Sequence, residues 1–209
     1  GFLINVNLAT RSGLSAINSG IEYGVGYTPY ANAYLILMLP HSIATISIVT
    51  AILPKLSKLV IDNKKDELRS EIRHALRLVA IIAVPATFVF FTFGTLIGKS
   101  LFFGIDEKSA EYLGRVLAAF ALGAIPLSMN LVGIRVLNAF ENTRYQFIST
   151  LITNIFAIIA SLIFFTFWKP EQVVIGLAFA FAISYWVGLF VTDTLLAKFT
   201  GGLLLSTEL

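Results

Sequence analysis

The hydrophobic positions of this chain fall into long runs that contain no Asp, Glu, Lys or Arg. A helix needs about 20 apolar residues to cross roughly 30 Å of hydrocarbon. Residues 2–21, interrupted only by Arg11, form one further apolar stretch. The pattern therefore predicts an all-α membrane protein, a polytopic bundle of about six transmembrane helices. The five uncharged runs cover residues 23–54, 78–98, 116–134, 145–168 and 172–192.

Turn-forming residues and charges set the expected limits of each helix. Prolines fall inside three of the predicted spans, at Pro40, Pro85 and Pro126. Each proline removes a backbone hydrogen bond and can kink its helix, although proline is also frequent in membrane helices without a special role. We expect helices near residues 2–18, 31–54, 76–103, 111–139, 145–168 and 172–198.

Small residues recur at every fourth position of the last predicted span. They are Gly176, Ala180, Ser184 and Gly188. Residues four apart share one face of a helix, and a face of small side chains lets a second helix approach closely. This stripe predicts a packing seam and not a binding site.

The connection over residues 55–77 differs from the others, because it holds seven of the 15 basic residues of the chain. Its apolar residues follow a helical period, which predicts an amphipathic helix lying along the membrane surface before the next span. The stripe consists of Leu68, Ile72, Leu76 and Val79. We interpret 55–77 as a basic amphipathic connector.

The positive charges lie mostly on one side of the predicted bundle. That side carries the 55–77 connector, the turn with Arg135 and Arg144, and Lys198. Loops rich in Lys and Arg stay in the cytoplasm. The connector is therefore expected to face the cytoplasm.

Composition excludes a soluble domain and gives no support for an enzyme. The chain is 57% hydrophobic and 13% charged, whereas soluble domains carry about 25% charged residues. Without cysteine there are no disulfides or thiolate metal sites. The two histidines form no His-Glu-x-x-His motif, and no glycine-rich phosphate loop occurs. We expect no enzyme activity, metal, cofactor or nucleic-acid partner.

Arg11 is the most informative polar residue, because it lies midway along the first predicted span. An arginine at that depth costs about 2.5–3.5 kcal/mol on insertion scales. It could face a hydrated cavity and bind an anionic substrate through its bidentate guanidinium. The alternative is that its side chain extends to the membrane interface.

Four more polar residues are candidates for substrate binding. His41 follows Pro40 in the second span, where it could titrate near neutral pH or simply bond a neighbouring helix. Asn130, Arg135 and Asn138 lie on the fourth span, and Arg135 and Asn138 share a face. For Arg135, extension to the cytoplasmic interface is the competing interpretation.

Two segments resemble the MurJ (MviN) lipid II flippase family of the MOP exporter superfamily. Residues 30–58, from Tyr-Ala-Asn-Ala through Leu-Pro-His-Ser to Leu-Pro-Lys-Leu-Ser-Lys, are similar to the eighth helix of that family. Residues 135–144, Arg-Val-Leu-Asn-Ala-Phe-Glu-Asn-Thr-Arg, resemble its turn between helices ten and eleven. The residues of both segments look most like those of actinobacterial members.

This resemblance implies that residues 1–209 are a partial transmembrane domain, helices seven to twelve of a 14-helix transporter. It implies a protein of the bacterial cytoplasmic membrane that flips an undecaprenyl-pyrophosphate-linked peptidoglycan precursor by alternating access. Membrane lipids and cytoplasmic regulators of cell-wall synthesis are the other partners it suggests.

Two alternatives stay open on the sequence alone. One is another exporter of the superfamily, either a polysaccharide-unit flippase or a drug antiporter. The other is a membrane scaffold without transport activity that recruits cytoplasmic proteins through residues 55–77.

Overall fold

A computed structural model describes residues 1–21 and 23–204, and all of its regular structure in those ranges is helical. Five helical units are long and apolar enough to cross a membrane: Tyr27–Ile61, Lys65–Leu101, Glu107–Ala139, Thr143–Phe167 and Pro170–Thr200. The elements are α1 (Phe2–Asn18), α2 (Tyr27–Pro40), a π-helical turn (His41–Thr45), α3 (Ile46–Ile61), α4 (Lys65–Leu101), α5 (Glu107–Ala121), α6 (Ala124–Ala139), α7 (Thr143–Phe167) and α8 (Pro170–Thr200).

The all-α prediction is confirmed, and each of the six predicted segments is helical. The first predicted helix, 2–18, has the bounds observed for α1, which is 17 residues long and shorter than the five membrane-competent units. The predicted span 111–139 is divided, because α5 ends at Ala121 and α6 begins at Ala124.

Two of the three intramembrane prolines mark a change in the helix. Pro40 ends α2, and the chain widens into the π-helical turn before α3 continues. Pro126 lies in the first turn of α6, where its missing N–H costs no hydrogen bond. Pro85 lies inside α4 without interrupting it. The backbone of α4 leaves the helical conformation further on, at Phe93, where the helix kinks.

Two separate hydrophobic cores stabilise the bundle. Core I joins α1, α2, α5, the start of α6 and the first half of α8, and includes Tyr30, Phe120 and Leu177. Core II joins α3, the first half of α4, α6 and the end of α8, and includes Leu56, Ile72 and Leu137. The bundle is thus divided along its length.

The prediction that the 55–77 connector lies on the membrane surface is wrong. Residues 65–77 form the first turns of α4, which continues without a break into the span. The apolar stripe of Leu68, Ile72, Leu76 and Val79 is buried in core II. These side chains contact protein because α3, α6 and α8 offer an apolar surface next to them. The α3–α4 hairpin is also joined by an ion pair between Lys55 Nζ and Glu71 Oε2, 2.5 Å apart.

The opposite end of the bundle is fixed by the start of α5. Asp106 is the N-cap of that helix and accepts a hydrogen bond from the Ser109 amide at 2.9 Å. Hydrogen bonds from the hydroxyl and the backbone amide of Ser109 hold the pKa of Asp106 below its usual value. The Gly24 amide donates to the Ser109 hydroxyl at 2.9 Å, which attaches the α1–α2 connection to α5.

The predicted packing seam on α8 is confirmed. All four of its small residues are buried. A Cβ atom on Gly176 would lie 2.7 Å from Cβ of Phe164, and one on Gly188 would overlap Thr153. Both neighbours belong to α7, so the seam is the contact between α7 and α8.

We expect Gly114→Ala to lower the thermal unfolding temperature of the protein in detergent. A Cβ on Gly114 would lie 2.5 Å from the backbone nitrogen of Thr95, so α4 and α5 would have to separate. Overpacking of this kind costs about 1–3 kcal/mol. Gly98→Ala in the same contact is the control, because its Cβ meets only the flexible end of Leu113 at 3.1 Å. Equal unfolding temperatures for the two variants would contradict the close approach.

Candidate functional site

A layer of buried and half-buried polar side chains separates the two cores, and we call it the polar belt. It consists of His41, Thr45, Ser128, Asn130, Ser149 and Thr192. On α6 the last core I residue is Leu127 and the first core II residue is Val132, so Ser128 and Asn130 lie between the cores. Polar groups at this depth are stabilised only by partners within the protein or by water.

The first part of the belt connects the π-helical turn to α6. His41 Nδ1 lies 3.0 Å from Ser128 Oγ, and the Thr45 hydroxyl donates to the same oxygen at 3.3 Å. When Nδ1 carries no proton, Ser128 donates to it and accepts from Thr45. The one hydroxyl proton of Ser128 is then bound to His41, and one of its two lone pairs accepts from Thr45.

The second part of the belt joins α6, α8 and α7. The Thr192 hydroxyl donates to Asn130 Oδ1 at 2.6 Å. The Ser149 hydroxyl lies 2.5 Å from Thr192 Oγ1 and donates to it in this arrangement. Thr153, one turn after Ser149, donates to the Ser149 carbonyl oxygen at 2.9 Å. These bonds fix Asn130 in one orientation.

A cavity of about 320 Å³ opens beside the belt between α2, α6, α7 and α8. His41 and Asn130 both line it, so two of the five predicted site residues are brought together. Its other polar lining residues are Tyr34, Thr150, Thr153, Asn154 and Tyr185.

A smaller cavity of about 160 Å³ shares four of these residues, namely Tyr34, Thr153, Asn154 and Tyr185. It also reaches Asn5 on α1, whose amide nitrogen donates to the Tyr30 hydroxyl at 3.1 Å. Asn5 is 6% exposed, and its Oδ1 has no hydrogen-bond partner among the described residues. The two cavities together form a polar track along the bundle.

The other three predicted site residues lie outside this track. Arg11 is exposed on α1 and forms no ion pair within residues 1–21 and 23–204. Arg135 and Asn138 are half-buried on α6 and do not line either cavity. The backbone carbonyl of Asn138 accepts a hydrogen bond from the Glu141 amide, which closes the end of α6.

The side chains that line the cavity can bind by hydrogen bonding and aromatic contact. The Tyr185 ring lies against Phe181 with centroids 4.7 Å apart. Asp193 is buried further along α8 and accepts a hydrogen bond from the Leu204 amide at 2.9 Å.

Most of the lining residues could not be identified from the sequence, because Ser, Thr, Asn and Tyr occur often in apolar helices and do not by themselves indicate a site. One signal was present on α7. Ser149, Thr150, Thr153 and Asn154 follow a spacing of one, three and one residues, which places them on one helix face.

We expect Thr192→Val to lower the free energy of unfolding by about 1–3 kcal/mol, because Asn130 Oδ1 and the Ser149 hydroxyl lose their shared partner. Thermal unfolding in detergent measures the change. Thr194→Val is the matched control, since the exposed Thr194 hydroxyl bonds only the Phe190 carbonyl of its own helix. Similar losses in both variants would contradict a structural role for the polar belt.

Proteins of known family share the sequence pattern and the fold of this chain. The family model of the lipid II flippase MurJ matches residues 1–206. A solved structure described as "Lipid II flippase MurJ, inward closed conformation" is similar with a TM-score of 0.71 and 21% sequence identity, which shows the shared fold. The similarity covers 90% of this chain and 40% of that chain. This chain thus spans less than half the length of the solved relative.

The helix order, the membrane-competent lengths and a family match over residues 1–206 agree with one another. The chain belongs to the MurJ lipid II flippase family.

Proposed function

We propose that this bundle is part of a transporter that flips lipid II across the bacterial cytoplasmic membrane by alternating access. The observation that carries the proposal is the family match over residues 1–206. The polar track supports it, because a diphosphate-linked sugar head group needs a hydrated, hydrogen-bonding path through the hydrocarbon.

Arg11 is the residue we propose to contact the anionic part of the substrate. On α1 it shares an exposed face with Asn7 and Ser15, four residues before and after it. A face with three polar residues is costly against lipid tails, so we infer that it borders water or substrate. A guanidinium binds phosphate oxygens in a bidentate manner.

The cavity residues have a different proposed role. His41 and Asn130 are held by the polar belt beside Tyr34 and Tyr185. We propose that they bond the uncharged sugar or peptide part of the head group. Arg135 lies five residues beyond Asn130 on α6, about 7.5 Å along the axis, and with Asn138 is proposed to bind the substrate nearer the cytoplasm.

The tip of the α3–α4 hairpin is proposed to face the cytoplasm, where it could contact regulators of cell-wall synthesis. Its exposed lysines include Lys58, Lys64 and Lys65. The pKa of Lys64 is raised because its ammonium bonds the Glu67 carboxylate, 2.9 Å away, so this charge persists at all physiological pH values.

We expect a membrane-impermeant maleimide to label Lys108→Cys in intact cells and Lys65→Cys only after permeabilisation. The two exposed lysines lie at opposite ends of the bundle, and this chain has no cysteine of its own. The full-length protein would be used, with any cysteine outside residues 1–209 replaced. The reverse labelling pattern would contradict the proposed orientation.

The function is tested by depleting the native gene and restoring the full-length protein with Arg11→Ala. Lipid II exposed on the outer leaflet would be quantified, with protein abundance measured separately. Loss of a charged hydrogen bond costs about 1.5–3 kcal/mol, so we expect at least about a tenfold loss of exposure.

Arg115→Ala is the matched control, because Arg115 is also exposed but lies beside Glu111 on α5. We expect it to restore exposure fully. If the depleted cells expose lipid II normally, the flippase proposal is wrong. If depletion abolishes lipid II exposure but Arg11→Ala restores it as fully as wild type does, the flippase proposal stands without a role for Arg11.

A further inference from the structure

The π-helical turn lies at the level where the two hydrophobic cores stop. On the second span, core I ends at Leu37 and core II begins at Val49, with the turn between them. The same change occurs on α8 between Phe181 and Leu196. Between Leu37 and Val49 the buried residue is Thr45, whose hydroxyl bonds Ser128 of α6.

The backbone is also irregular at this level. A π-helical turn is a rare interruption of an α-helix and is frequently found at functional sites. Its N-cap is Pro40, which contributes no N–H group. On the neighbouring chain segment, α5 and α6 are separated by Leu122 and Gly123. In contrast, α7 and α8 run past this level without interruption.

The start of α3, next to the turn, is mostly exposed. Ile46, Ser47 and Thr50 are exposed there, and the buried residues of α3 are Val49, Leu56 and Leu59. Over its 16 residues α3 is about 24 Å long. A tilt of about 10° at the turn would therefore move its far end by roughly 4 Å.

One side chain attaches both ends of the turn to α6. Ser128 bonds His41, the first residue of the turn, and Thr45, the last. Ser128 is 3% exposed, and His41 borders the cavity of about 320 Å³. A movement of α3 about the turn would change the contacts of Ser128 and the opening of this cavity together.

We propose that the π-helical turn is a hinge for α3 and that Ser128 is the positioning residue that holds it in the arrangement described. α7 and α8 form the fixed part against which α3 moves. The proposal rests on the proposed function, because a moving α3 would open and close the polar track during alternating access. Ser128 acts through the backbone of the turn and not through contact with substrate.

The test measures distances between spin labels by pulsed electron resonance in the full-length protein. One pair, Lys58→Cys with Thr143→Cys, joins the far end of α3 to the start of α7. The second pair, Thr28→Cys with Phe167→Cys, lies at the opposite end of the bundle. We expect Ser128→Ala to shift or broaden the first distance by about 4 Å or more, and to leave the second unchanged.

Two variants distinguish a hinge from a general loss of packing. Ser128→Thr keeps the hydroxyl and is expected to retain the wild-type distance. Ser161→Ala is the matched control, because Ser161 is equally buried on α7 and its hydroxyl has no partner in residues 1–21 and 23–204. Neither variant should change either distance.

Thr45→Val removes one of the two bonds to Ser128 and serves if Ser128→Ala does not fold. We expect a smaller change in the same distance. An unchanged first distance in a folded Ser128→Ala protein, or in Thr45→Val when Ser128→Ala is unfolded, would overturn the proposal. Exposure of lipid II is measured in the same variants. If Ser128→Ala shifts the first distance but lipid II exposure does not depend on the wild-type protein, the hinge proposal stands and only the proposed function is rejected.

Discussion

The structure depends on one constraint, which is that every polar atom in the hydrocarbon region needs a partner inside the protein or a water molecule. The chain meets it in part by gathering polar side chains into one layer. Asn130, Thr192 and Ser149 bond one another across three helices, and Ser128 takes up His41 and Thr45. Because this layer needs partners at fixed positions, it sets the register of α6, α7 and α8. It also divides the apolar interior into two cores.

The architecture could largely be predicted from the sequence. Runs without charges predicted the helices, since charge in a lipid-facing helix is costly. The four small residues of α8 predicted a packing seam, and the structure shows that its partner is α7. The environment of the 55–77 connector could not be predicted, because periodicity reveals an apolar stripe but not the surface against which it packs. Leu68 and Ile72 would suit a membrane surface equally well, and only the fold shows that core II covers them.

The site could be predicted only in part. His41 and Asn130 stood out because each is polar in an otherwise apolar run, and both line the cavity. Tyr34, Thr153 and Tyr185 could not be identified, since their role comes from the meeting of α2, α7 and α8. Sequence spacing also placed Asn130, Arg135 and Asn138 on one helix but could not show that only Asn130 reaches the cavity. The predicted residues therefore do not form one site, since His41 and Asn130 line the cavity and Arg11 is exposed on α1.

The packing of α1 has a consequence for how the protein is made. Leu8 and Ala9 of α1 belong to the same core as Val173, Val174 and Leu177 of α8. The ribosome adds about 5–20 residues per second, so roughly 10–30 s separate the synthesis of these two helices. Early in that interval Asn5 can meet its hydrogen-bond partner, Tyr30 of α2. The apolar contact of α1 with α8 can form only at the end of it, so core I is completed late in synthesis.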